Sequence, residues 1–192
     1  MMHKEKLRQQ ALARRRAASA EHRQTASESI QRRLLEHLSR NARLGSAPLL
    51  LYRALNDEVA TGLLFDEPGG REVYAPVTHH AGHMQWLRID DDTVWQRGSF
   101  GVLEPAAGDP WPEEASPAVL VCPLVGFDRS GNRLGLGKGC FDRWLAGARS
   151  HILLSAGLAF ACQECPAIPV EAHDVPLDII ITENEVITCR NC

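Results

Sequence analysis

From residue 3 to residue 40 the apolar positions recur at helical spacing. Leu7 and Ala11 lie one turn apart and lead into the basic run Arg14–Arg16. Ile30, Leu34 and Leu38 then return every fourth residue and give a single apolar stripe on a charged segment. Ser19 stands between the two patterns. Its hydroxyl suits the free N–H groups of a helix start, and Glu21 falls in the positive first turn that follows. The pattern predicts two helices, with Gly45 and Pro48 marking the exit.

Beyond Pro48 the period changes. Short apolar runs alternate with turn or helical segments: "APLLLYRAL" (47–55), "REVYAPV" (71–77), "HMQWLRI" (83–89), "PAVLVCPLVGF" (117–127), "HILLSAGLAF" (151–160) and "LDIIITENEVIT" (177–188). The fourth is apolar almost throughout, as expected of a strand covered on both faces. "TGLLFDEPGG" predicts a short helix closed by glycine, and "FDRWLAGARS" opens another. Such alternation predicts an α/β domain with a largely parallel sheet, carried by one domain over residues 1–192. "GDPWPEEASP" (108–117) is expected as a proline-rich surface loop, since too little chain follows it for a second core.

Composition narrows the function classes. A chain of 192 residues with 44% hydrophobic residues, 23% charged residues and a net charge of −3 suits a globular protein without an electrostatic call for nucleic acid or an acidic membrane. The run "ARRRAASAEHR" allows an RNA-binding alternative, but an acidic chain with 6% aromatic residues favours a basic helix beside some other site. No apolar run approaches a membrane span, and no apolar stretch follows the basic N-terminus, so a cytoplasmic location is expected. Six cysteines include the pairs Cys162/Cys165 and Cys189/Cys192, whose spacing suits zinc thiolates only if the two pairs meet. The expectation here is that the second pair is a tail and that they do not.

The densest chemistry lies in "RLGLGKGCFD", Arg133 to Asp142. It follows a strand and opens a helix, where free N–H groups favour an anion. Gly135, Gly137 and Gly139 allow positive φ and a close approach of backbone to phosphate. Arg133 offers a planar fork, Lys138 a point charge, and Asp142 a hard oxygen ligand for magnesium. Two familiar phosphate motifs fail on spacing. Gly139 follows Lys138 where GxxxxGK[ST] needs a hydroxyl residue, Asn132 stands where its first glycine belongs, and "GLGKG" is not GxGxxG.

The longer string "FDRSGNRLGLGKGCFDRWL" resembles the phosphate loop of the 5-formyltetrahydrofolate cyclo-ligases, G-F-D-x-x-G-x-R-L-G-x-G-x-G-Y-Y-D. "KEKLR", "NDEVAT", "GSFGVLEP", "GLAFACQ" and "IPVEAHDVPLDIIITE" are similar, in order, to other elements of that family, so the resemblance spans nearly the whole chain. It implies a three-layer α/β/α fold with a largely parallel sheet and a helical N-terminus, of the kind shared with CoA transferases. It also implies a monomeric enzyme acting on ATP and 5-formyltetrahydrofolate with Mg2+, without nucleic acid or membrane partners. By the same resemblance Lys4 and Arg8 reach the triphosphate, and Arg133, Leu134, Gly135, Leu136, Gly137, Lys138, Gly139, Cys140 and Phe141 form the ATP loop. Arg133 and Lys138 are the catalytic cations. Arg53, Glu58 and Leu136 to Cys140 contact the folate, and Asp142 and Asp174 hold the metal.

Cys140 and Phe141 depart from the family's paired tyrosines. Phe141 keeps the ring without the hydroxyl, and Cys140 loses both. Cys140 is not needed as a nucleophile, because phosphorylation of a formyl oxygen requires positioning and charge neutralisation alone. Two alternatives remain open from sequence: a diverged ATP-binding enzyme for another amide-like substrate, and a nucleotide- or folate-binding protein without turnover. The retained Arg133, Lys138, Asp142 and Glu58 favour the enzyme.

Overall fold

The computed structural model describes residues 3–79, 83–98, 101–137 and 139–189. The two apolar stripes become α1 (Lys4–Ala17) and α2 (Ala20–Ser39). Ser19 caps α2 as its position demands, its hydroxyl accepting the His22 N–H at 3.1 Å. The helical region ends at Ser46, between Gly45 and Pro48 as expected, but α2 stops earlier. A short α3 (Ala42–Ser46) contains Gly45, because the Asn41 carboxamide oxygen accepts from the Arg43 and Leu44 N–H groups and starts a new turn.

Seven strands form the central sheet: β1 (Leu49–Leu50), β2 (Val73–Thr78), β3 (Met84–Ile89), β6 (Ala118–Pro123), β9 (Ile152–Leu158), β10 (Ile179–Ile181) and β11 (Val186–Thr188). Their order is β11-β10-β9-β6-β1-β2-β3. Pairing is parallel from β10 through β2 and antiparallel at both edges. The period-2 alternation of strands sorts the core into two layers. Leu49, Leu51, Val119, Val121, Ile179 and Ile181 pack with Ile30, Leu34 and Leu38 of α2 and Leu64 of α4 (Gly62–Asp66). Leu50, Leu120, Cys122 and Ile180 pack on the other side with Leu145 of α5 (Cys140–Ala148). The result is the three-layer α/β/α arrangement with a mostly parallel sheet.

Three expectations change. The run 47–55 is paired as strand only at Leu49–Leu50, although burial continues to Tyr52. The run 117–127 breaks after Pro123, and Gly126–Phe127 (β7) leaves the sheet to form a hairpin with Arg133–Leu134 (β8). Asp128 fixes that turn: its carboxylate accepts from the Ser130, Asn132 and Ile168 N–H groups and from the Asn132 carboxamide. The proline-rich stretch 108–117 is not wholly on the surface. Trp111 is buried against Trp144 of α5, ring centres 6.0 Å apart, and donates to the Ser116 carbonyl. A second hairpin, β4 (Trp95–Arg97) with β5 (Leu103–Pro105), has no counterpart in the sequence reading.

α1 lies outside both layers. Leu7 and Ala11 pack with Val125, Leu134, Cys165 and Ile168, so this helix rests on the hairpin that leads into the glycine-rich loop. Among the described residues no helix is long and apolar enough to cross a membrane.

Candidate active site

A cavity of about 290 Å³ opens between the glycine-rich loop and the segment that follows β1. The loop side contributes Arg133, Gly135, Leu136, Gly139, Cys140, Phe141 and Asp142, and the facing side Tyr52, Arg53, Leu55 and Glu58. These two stretches are far apart in the chain. The parallel sheet brings them together at the carboxyl ends of its strands, where ligands of open α/β sheets bind.

The loop is held from three directions. Arg133 comes from β8, with its side chain only 4% exposed, and donates to the Asp142 carboxylate at 2.8 Å and to the Val175 carbonyl at 2.7 Å. One guanidinium thus links the first turn of α5 to the 171–175 segment, next to Asp174. From the other side Arg8 donates through Nε to the Gly135 carbonyl at 2.8 Å and through Nη1 to Glu5. Phe141 packs against Trp86 with ring centres 6.2 Å apart at 74°, and Trp86 in turn meets Trp144 at 5.3 Å. Inside this aromatic cluster a ring is what position 141 needs.

Gly137 and Gly139 take φ of 89° and 64°, the left-handed region that glycine adopts without steric cost. Gly135 does not share that conformation: β8 runs directly into it, and its carbonyl is fixed by Arg8 instead. Leu134 is buried with Val125 in the α1 cluster, so its side chain supports the loop from beneath. Lys138 lies outside the described residues.

Lys4, Arg8, Gly137 and Asp174 do not line the cavity. Lys4 donates to Asp174 at 2.6 Å and to Glu171 at 2.8 Å. Burial alone would push the Asp174 carboxyl up, but the Lys4 ammonium and the Glu171 N–H outweigh it and hold it below the ordinary aspartate range. Burial pulls Lys4 down, and the same two carboxylates raise it overall. Glu171, His173 and Asp174 form the one group of three such ligands, among the described residues, close enough to share an ion. Cys162, Cys165 and Cys189 are not part of any such group, and Cys192 lies outside the described residues.

The facing wall is shaped by burial. Glu58 accepts the Leu55 N–H at 2.8 Å, and desolvation pushes its carboxyl above the ordinary glutamate range. Its neighbour Asp57 is pulled the other way. Desolvation raises it, but Arg15 at 2.9 Å and Arg16 at 3.3 Å more than compensate. Of the basic run of α1, Arg15 is therefore internal, while Arg14 and Arg16 stay exposed. Arg14 donates to the Cys162 and Glu164 carbonyls, and Arg15 is 1% exposed.

Sequence reasoning missed part of the wall. Thr78 of β2, Met84 of β3 and Glu104 of β5 also line the cavity. Glu104 is 5% exposed and accepts the Thr78 N–H at 3.1 Å. A carboxylate in an apolar run beside proline was the available signal, since buried acids are kept only where something pairs them.

The chain matches the model of the 5-formyltetrahydrofolate cyclo-ligase family over residues 1–183. It is 34% identical to a 5-formyltetrahydrofolate cyclo-ligase of Haemophilus influenzae over 142 residues, covering 69% of this chain and 74% of that protein. A protein of the same name from Mus musculus is 30% identical over 181 residues, 88% of each chain. The NMR structure of Aquifex aeolicus 5,10-methenyltetrahydrofolate synthetase superposes with a TM-score of 0.79 at 29% identity, covering 100% of this chain and 95% of that one. With the family model matched over nearly the whole chain and the fold shared, the chain belongs to the 5-formyltetrahydrofolate cyclo-ligase family.

Proposed function

We propose that this protein closes 5-formyltetrahydrofolate to 5,10-methenyltetrahydrofolate at the expense of ATP, with Mg2+ as the metal. The observation that carries this reading is the single cavity shared by the glycine-rich loop and the Glu58 wall. One side is built for an anion, with the N-terminus of α5, the left-handed Gly139 and the buried Arg133. The other offers acceptors suited to a ligand rich in N–H donors, such as a reduced pterin.

The formyl group is an amide, and its oxygen is a poor leaving group. In the proposed reaction that oxygen attacks the γ-phosphorus of ATP, the bond to ADP breaks, and the formyl carbon becomes an electrophilic iminium bearing phosphate. N10 then adds to that carbon and loses its proton. Cleavage of the carbon–oxygen bond releases inorganic phosphate and leaves the cyclic amidinium. The protein supplies no nucleophile. Arg133, Lys138 and the loop N–H groups hold the phosphates in line, with Lys4 and Arg8 from α1, while Arg53 and Glu58 orient the folate.

Asp142 and Asp174 fit a magnesium ion by donor type: both present carboxylate oxygens, both are partly exposed, and each is now neutralised by a cation, Arg133 or Lys4. Such an ion supplies charge to the phosphate oxygens.

The test uses 5-formyltetrahydrofolate labelled with 18O in the formyl group, incubated with protein and Mg-ATP. Methenyltetrahydrofolate absorbs in the near ultraviolet, so product is followed directly, and phosphate is analysed by mass. The expected result is product together with phosphate carrying the label. Product with unlabelled phosphate would reject the phosphoryl route, and no product from folded protein would favour a binding role or another amide-like substrate.

A further inference from the structure

Arg53 sits on the cavity wall with its guanidinium clamped between two rings. Its Cζ lies 4.2 Å from the centre of the Trp95 ring and 4.9 Å from that of Phe65. The rings stand edge to face, 6.0 Å apart at 87°. Neither ring lines the cavity, and both are half-buried, so the guanidinium stands at the cavity's edge. Phe65 comes from α4 and Trp95 from β4, two elements joined here through this cation.

The two rings engage the charge of the guanidinium without accepting from its N–H groups. Two ring contacts of this kind hold the cation in place but use none of its five N–H donors. Among the described residues no carboxylate, carbonyl or hydroxyl accepts from Arg53, whereas Arg14, Arg15, Arg129, Arg133 and Arg149 all donate to such groups. A planar cation held rigid and unspent at a cavity mouth is a recognition element for a planar anion, and a carboxylate fits the fork. Glu58, Glu104 and Asp142 all line the same cavity; Asp142 is neutralised by Arg133, while Glu58 and Glu104 accept the Leu55 and Thr78 N–H groups. Their charge disfavours a carboxylate deep in the cavity, so an elongated ligand with one anionic end is oriented with that end at Arg53.

We infer that Arg53, locked by Phe65 and Trp95, is the subsite for a carboxylate of the glutamyl tail of the folate, and so sets the discrimination between tailed and tail-less substrates. This rests on the folate reading proposed above.

The test is a cycle of two proteins and two ligands. Wild type and Arg53→Gln are titrated by calorimetry with 5-formyltetrahydrofolate and with 5-formyltetrahydropteroate, which lacks the glutamate. A charge-assisted hydrogen bond implies a roughly ten-fold or larger weakening for Arg53→Gln with the tailed ligand. With the tail-less ligand the two proteins should bind alike. Arg53→Lys, which keeps charge but not the stacked plane, should fall between. Trp95→Leu, which leaves Arg53 unclamped, should show a smaller loss confined again to the tailed ligand. Equal losses with both ligands would overturn the tail assignment while leaving the folate reading standing. Failure of wild type to bind either ligand would overturn both.

Discussion

Arg15 and Arg133 are both buried guanidiniums paired to a carboxylate, at 2.9 Å to Asp57 and 2.8 Å to Asp142, yet they stand on different sides of the cavity wall. Arg133 lines the cavity, while Arg15 sits behind the wall that carries Glu58, with its Nε buried and unpartnered. The pairing chemistry is the same, but the exposure to ligand is not. A buried cation that borders a cavity lends its charge to a ligand there, and one enclosed by protein serves to fix the chain. The comparison also explains why adjacent acids diverge: Arg15 holds Asp57 below its ordinary range, and desolvation holds Glu58 above it.

Substitution of the two arginines should separate ligand-facing from wall-fixing roles. Arg133→Ala is expected to lower kcat/KM by about 10³-fold, the scale of losing a preorganised donor to the transferring group. Lys138→Ala should fall by on the order of 10²-fold in the same spectrophotometric assay while its circular dichroism stays that of wild type. Arg15→Ala should instead cost stability, roughly 1–2 kcal/mol by urea unfolding, since it removes a buried side chain and leaves Asp57 only the exposed Arg16. Its effect on turnover should appear in the KM for folate and spare that for ATP. An Arg15→Ala protein as stable as wild type would remove the distinction.

The acids provide a finer test through pH. Asp57 has a depressed folded pKa, so the unfolded chain binds more protons in that window. Its contribution is complete above the unfolded value, about 3.9, and is lost as pH falls through the folded value. Glu58 has a raised folded pKa, so its contribution is present below about 4.3 and is lost as pH rises through the folded value. Asp57→Asn should therefore flatten the acid limb of stability, and Glu58→Gln should flatten the decline just above it. Both are read from urea midpoints between pH 3 and pH 7. The smallest effect expected is that of Cys140→Tyr, about a three-fold lower KM for one substrate. Unchanged KM values for both ATP and folate would show that the departure at position 140 carries no affinity.

The loop wall was legible in the sequence because its residues are contiguous and its chemistry is unusual for a turn. The alternation of apolar runs with helical segments was legible too, and it yields the mostly parallel sheet, whereas the consecutive Leu49, Leu50 and Leu51 give no sign of which layer each enters. The rest depends on tertiary placement. Glu104 and Thr78 reach the cavity only because β5 packs against β2, and no local pattern encodes that meeting. Arg14, Arg15 and Arg16 read as a basic helix beside some other site, and nothing near them in the chain supplies the Cys162 carbonyl or Asp57 that they meet. Gly135 looked like its neighbours, and only the preceding β8 and the Arg8 contact distinguish it.

The most direct test of one cavity serving one reaction is the stoichiometry of ADP to methenyltetrahydrofolate. A single site built from both walls predicts one ADP per product and no ADP when folate is omitted. ADP released at an undiminished rate without folate, or product formed without ADP, would contradict it.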